Sequence, residues 1–128
     1  MKPNKFYGAL VFILALAVVI GAYLPVHAAD DATFSAVEKD GAKIWEGGGT
    51  VDLTGRTTPL MLKVKNTLAA EHGFAIDSMK VKEVIKPNEE KTISVPLENI
   101  DKTVSEHKVY CQLHPKHMTA TTLKTTGK

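Results

Sequence analysis

Near its C-terminus the chain reads Tyr110-Cys111-Gln112-Leu113-His114-Pro115-Lys116-His117-Met118, and this run holds its only cysteine. The residues before it, His107-Lys108-Val109-Tyr110-Cys111, alternate as a strand does, so the cysteine stands where a strand passes into a tight loop. A thiol, two imidazoles and a thioether fall within eight residues. These are soft and borderline donors, the set that suits copper or zinc rather than calcium or magnesium. A lone cysteine cannot form an intramolecular disulfide, and a histidine three residues beyond it can reach the same ion. That pair cannot fill a site, so a further donor must come from another strand end. His72 is the candidate. It follows the strand ending at Asn66 and precedes Gly73-Phe74, where a glycine permits close backbone approach or a positive φ. His117 and Met118 compete for the fourth position, and a weak axial thioether is one known way to fill it.

The beginning of the chain reads as an export signal. Lys2 and Lys5 form a positive n-region, Ala9 to Leu24 is apolar with Gly21 as its weak spot, and Pro25-Val26-His27-Ala28-Ala29 places small residues for cleavage after Ala28. Residues 1–28 are therefore expected to be a secretory signal peptide. An uncleaved anchor is the alternative, although a membrane span needs roughly 20 apolar residues. Residues 29–128 then form one domain facing an oxidising, extracytoplasmic compartment, periplasmic in a bacterium. Structural cysteines there come in pairs, so one cysteine beside histidines favours a metal ligand over a staple.

Charge excludes one class of partner. The chain has 16 basic and 14 acidic residues, and the surplus is Lys2 and Lys5. The domain itself is near neutral, with no basic stripe and no aromatic interleaving of the kind that binds nucleic acid. No membrane contact is expected beyond the N-terminal segment.

The domain has the periodicity of strands. Thr33 to Glu38, Lys43 to Glu46, Thr50 to Leu53, Phe74 to Ile76, Val81 to Ile85 and Lys91 to Val95 are short apolar or alternating pieces. Leu60, Leu62 and Val64 share one face of a strand whose other face carries Met61, Lys63 and Lys65. Gly47-Gly48-Gly49, Thr54-Gly55-Arg56 and Lys86-Pro87-Asn88 break the pattern. Thr119 to Leu123 is rich in β-branched residues and could close a sheet. The pattern predicts an all-β sandwich or barrel. A helical turn is expected at Leu68-Ala69-Ala70-Glu71, a loose start at 29–32 and a frayed tail at 124–128. His107 is expected at the surface, and Trp45 and Phe74 in the core. Glu71 is read as solvated. For Cys111 the bland alternative is an inert buried thiol, and for Met118 a core position.

The chain resembles the cupredoxin family and, within it, is most similar to the nitrosocyanin group of red copper proteins. The resemblance runs from about Leu62 to Leu123. It rests on Gly73-Phe74-Ala75-Ile76-Asp77, Val84-Ile85-Lys86, Lys91-Thr92-Ile93-Ser94 and Cys111-Gln112-Leu113-His114-Pro115-Lys116. It implies a Greek-key β-sandwich or barrel with one copper ion held by His72, Cys111, His114 and His117, with Met118 as the alternative fourth ligand. Nitrosocyanin has a glutamate where this chain has His72, and its second C-terminal histidine lies two residues further from the cysteine. The Cys-x-x-His-Pro-x-His spacing here looks like the short ligand loop of amicyanin, with His117 where that family has methionine. Zinc is the second metal these donors would accept.

The resemblance implies an electron carrier docking transiently with redox proteins. The alternative is a nitrosocyanin-like catalytic copper acting on a small molecule such as a nitrogen oxide. Copper delivery is a weaker idea, since Met61 and Met79 are too scattered for an exposed donor cluster. The nitrosocyanin group also suggests a trimer.

Overall fold

The computed structural model describes residues 29–127, so the expected signal peptide lies outside the described residues. Ten strands carry the domain: β1 (Ala32–Lys39), β2 (Ala42–Gly47), β3 (Gly49–Asp52), β4 (Leu60–Asn66), β5 (His72–Ile76), β6 (Val81–Ile85), β7 (Glu90–Val95), β8 (Glu106–Val109), β9 (Met118–Thr119) and β10 (Thr121–Thr126). Single 3-10 turns lie at Asp77–Met79 and Leu97–Asn99. Among the described residues no helix is long and apolar enough to cross a membrane.

One sheet has the order β7-β4-β1-β2-β9 and a second the order β3-β10-β8, while β5 and β6 form an antiparallel hairpin. An antiparallel bridge between Ala75 and Tyr110, with N–H···O bonds of 2.9 and 3.0 Å, joins that hairpin to the end of β8. The site-bearing edge therefore runs β8, β5, β6. Both main sheets are mixed: β1 runs parallel to β4, β2 to β9 and β3 to β10.

Alternation builds the core where one face meets water. Leu60, Leu62 and Val64 of β4 are fully buried, and β1 contributes Ala32, Phe34 and Ala36 opposite them. In β5 the alternation disappears and all five residues are buried, as expected of a strand covered on both faces. Phe74 packs against Phe34 and Trp45 with ring centroids 5.1 and 5.2 Å away, tying β5 to the facing sheet.

Two turns set the connectivity. Asp40 and Gly41, both at positive φ, close the two-residue hairpin between Lys39 and Ala42; Asp-Gly is the sequence this turn favours. The three glycines at 47–49 also sit at positive φ. Gly47 still pairs with Phe34 of one sheet, and Gly49 already pairs with Leu123 of the other. A Cβ at Gly47 would overlap the Thr33 carbonyl, so this corner, where the chain changes sheets, requires glycine.

Several expectations need correction. Residues Leu68 to Glu71 make no helical turn. Asn66 takes its place: its side chain donates to the Ala70 and Ile85 carbonyls and accepts the Leu68 N–H, which holds the loop without a helix. Residues 124–126 are not frayed, because β10 lies between β3 and β8. The start is likewise fixed from Asp31 onward. Arg56 donates to both Asp31 carboxylate oxygens at 2.6 Å, and the Met61 N–H donates to Oδ2 at 2.7 Å. His107 is in the core, fully buried. Its Nδ1 lies 2.6 Å from Ser78 Oγ and its Nε2 2.9 Å from Thr125 Oγ1. A period-two strand with an imidazole on its apolar face places that imidazole inside, and two hydroxyls make the position tolerable.

Two stability predictions result. Burial pushes the Asp31 carboxyl up, but the Arg56 hydrogen bond, the Met61 N–H and the Arg56 charge outweigh it and hold the group below its usual value. Asp31→Ala should cost about 2 kcal/mol of unfolding free energy at pH 7, the scale of charged hydrogen bonds; urea denaturation giving no loss would refute the clamp. Burial pushes the His107 imidazole below its ordinary value, with Asp101 opposing weakly. The unfolded chain then binds the extra proton first. Stability present above the unfolded value of about 6.5 is lost as pH falls through and below it. Denaturation curves between pH 7.5 and 5 should show a steeper loss for the natural protein than for His107→Gln. Parallel curves would rule this out.

Candidate metal centre

The five candidate donors are carried by the start of β5, the loop between β8 and β9, and the first residue of β9. Cys111 is fully buried directly after the Ala75–Tyr110 bridge. The Gly73 N–H donates to its Sγ at 3.2 Å, so the sulfur lies beside the residue that follows His72. His72 is 3% exposed. Its ring centroid lies 6.3 Å from that of His114, with the planes at 76°. His114 and His117 are both exposed. They are linked through the backbone, where the His117 N–H donates to the His114 carbonyl at 3.0 Å in a turn that keeps the loop short. Met118 is buried in the core, in β9 opposite Lys43.

The structure thus brings His72, Cys111 and His114 into one neighbourhood and leaves His117 exposed. Among the described residues no three His, Cys, Asp or Glu side chains converge closely enough to form a ready-made metal cluster. Glu71 is exposed, as expected of a solvated side chain.

The electrostatics single out His72. Both of its ring nitrogens are buried and neither has a hydrogen-bond partner among the described residues. Burial pushes its pKa down, and the charges of Lys43 and His114 push the same way. A neutral imidazole with two unanswered nitrogens in the interior is costly. A metal ion bound at one nitrogen would remove part of that cost, and His72 beside a buried sulfur fits a soft or borderline cation.

Gly73 is the residue around which the site is assembled. Its N–H faces Cys111 Sγ, and its carbonyl accepts the Trp45 Nε1 proton at 3.0 Å. Its φ is not positive, so space rather than backbone freedom explains the glycine: a Cβ there would overlap the Gln112 side chain. Trp45 is a core residue as expected, 2% exposed, and its indole N–H also braces the site. The sequence reading left Gln112 without a role. Its Nε2 donates to the Glu83 carbonyl at 2.8 Å, while its Oε1 is buried without a partner among the described residues. The signal available in sequence was a polar residue between two candidate ligands, too general to assign a contact.

No family model matches the chain, and no curated protein matches it. Solved structures do. The laccase of Pediococcus acidilactici Pa5930 aligns over 74% of this chain and 26% of its own, at 14% identity and a TM-score of 0.52. A multicopper oxidase from Campylobacter jejuni, described as a metallo-oxidase, aligns over 75% of this chain and 25% of its own, at 14% identity and a TM-score of 0.49. A methionine-to-alanine mutant of amicyanin in the Cu(I) form aligns over 76% of this chain and 100% of its own, at 14% identity and a TM-score of 0.38. The chain spans about a quarter of the laccase's length. What it shares with the laccase is the fold, and that fold is an all-β, cupredoxin-like Greek-key sandwich.

Proposed function

We propose that this protein is an exported electron carrier that binds one copper ion through His72, Cys111 and His114, with His117 as the fourth ligand and Met118 as its alternative. The observation that carries the reading is His72, buried with both ring nitrogens unpartnered, beside a backbone N–H that points at the only cysteine sulfur. Copper, when bound, supplies a one-electron couple between Cu(I) and Cu(II). The resemblance of the Tyr110-to-Lys116 block to cupredoxins, and to nitrosocyanin above all, favours copper over zinc, and the cupredoxin-like fold suits it.

The chain's own residues divide the work. The Gly73 N–H stabilises negative charge on the Cys111 sulfur. His72, almost fully buried, keeps water from the interior side. His114 stands at the surface between Leu113, which is 39% exposed, and Pro115, and offers a short path to a docked redox partner. Phe74 of β5, packed against Phe34 and Trp45, resists movement of the site, so little reorganisation accompanies a change of charge. The compartment follows from the N-terminal segment, and a trimer remains what the nitrosocyanin resemblance suggests.

The exposed His117 ring supports a second reading. If His117 stays away from the ion, a coordination position is open, as copper chemistry on a nitrogen oxide requires.

The test is the visible and electron paramagnetic resonance spectrum of the Cu(II)-loaded protein. Intense thiolate-to-copper absorption is expected, and Cys111→Ala should abolish it. Copper should also raise the melting temperature, by about 2.7 kcal/mol of stability at a hundredfold excess over Kd. Persistence of the colour in Cys111→Ala, or no thermal shift with copper, overturns the assignment. A narrow hyperfine splitting supports the carrier, and a red, wide-splitting site supports the open one.

A further inference from the structure

We infer that Gln112 is a positioning residue, a latch that crosses β5 and holds the Gly73 N–H on the Cys111 sulfur. The inference rests on the reading of Cys111 as a copper ligand. Strand order carries the argument. Gln112 follows the segment that pairs with β5 through Ala75 and Tyr110, and β6 lies on the other side of β5. Yet its Nε2 donates to the carbonyl of Glu83, a residue of β6, at 2.8 Å. The side chain therefore passes over β5, and it passes at Gly73, where its Oε1 fills the place a Cβ would take. A carbonyl acceptor at Glu83 fixes the amide's orientation, because only nitrogen can donate there. That leaves Oε1 buried without a partner, an arrangement that normally costs stability. The Nε2 bond and the fit over the glycine offset that cost.

The crossing has a consequence for the sulfur. At Gly73 the Cys111 side chain takes the N–H that a neighbouring strand would otherwise receive. The Trp45 indole holds the Gly73 carbonyl, and Gln112 occupies the space where a Cβ would stand. Gln112 also joins the ligand loop to the far strand of the hairpin, so the loop cannot lift without breaking the Glu83 bond. Hydrogen bonding at the cysteine sulfur tunes the potential of a thiolate copper site. Residue 112 thus acts on the metal through Gly73, without ligating it.

The experiment compares the full chain with Gln112→Ala, Gly73→Ala and the double variant. Without metal, amide exchange at Gly73 should be about tenfold faster in Gln112→Ala, the scale of one lost hydrogen bond. Alkylation of Cys111 by iodoacetamide should accelerate with it. Loaded with Cu(II), Gln112→Ala should shift the thiolate absorption band and lower the reduction potential, because the sulfur loses a donor that favours Cu(I). Gly73→Ala should lower the melting temperature, and Gln112→Ala added to it should restore part of the loss. A merely structural role would lower stability while leaving band and potential in place, and that result overturns the inference. So does unchanged Gly73 exchange in a folded Gln112→Ala. If the natural protein shows no thiolate band, the copper reading fails on its own, and the exchange and alkylation arms still decide the latch.

Discussion

A single peptide unit, the one joining His72 to Gly73, is the constraint on which the candidate site depends. Its N–H is directed at a buried sulfur, and the next carbonyl is held by an indole from the facing sheet. A side chain at residue 73 would have to displace Gln112, which fills the space above it. Fixing that unit fixes where His72 leaves the backbone. A ligand set in which one donor is anchored by core packing and others sit on a surface loop divides its labour. The anchored end is buried, and the loop end is exposed.

The fold supplies the anchor. The aromatic trio Phe34, Phe74 and Trp45 joins β5 to the opposite sheet. The glycine corner at 47–49 lets the chain leave one sheet after Gly47 and enter the other. The Ala75–Tyr110 bridge delivers Cys111 to the side of β5 at the required register. A slip of one residue there would turn the thiol to the opposite face, so the bridge does for the cysteine what the indole bond does for the glycine. Restraint at the other end of the molecule comes from the Asp31–Arg56 clamp, which fixes the start of β1 without reference to the site.

Much of this was legible in the sequence where side chains alternate against water. The β4 pattern of Leu60, Leu62 and Val64 against Met61, Lys63 and Lys65 shows its inner face directly, and the strand before Cys111 does the same. β5 reads only as a short apolar piece, because a strand covered on both faces has no period to read. The pairing of β5 with Tyr110, and the passage of Gln112 over Gly73, join residues 35 or more apart, and no local rule reaches that far. Gly73 was singled out correctly as a place of close approach, but the alternative of a positive φ does not hold. Residues 124–128 looked like a tail because their composition is polar, although Thr119 to Leu123 read as a strand that could close a sheet. Thr125 is instead buried, and its hydroxyl meets a histidine.

That histidine gives the sharpest contrast in the molecule. His107 and His72 are both buried and both shifted toward the neutral form by that burial. His107 has a hydroxyl at each ring nitrogen, from Ser78 on one side and Thr125 on the other. Its hydrogen-bonding capacity is used up, and it serves to join β8, β10 and the turn after β5. Among the described residues His72 has none of this. Burial alone therefore does not mark a ligand; an imidazole becomes a ligand candidate when the protein has buried it and answered neither nitrogen. By that criterion the sequence reading misplaced His107, and the geometry separates a histidine that completes a core from one that the core leaves incomplete.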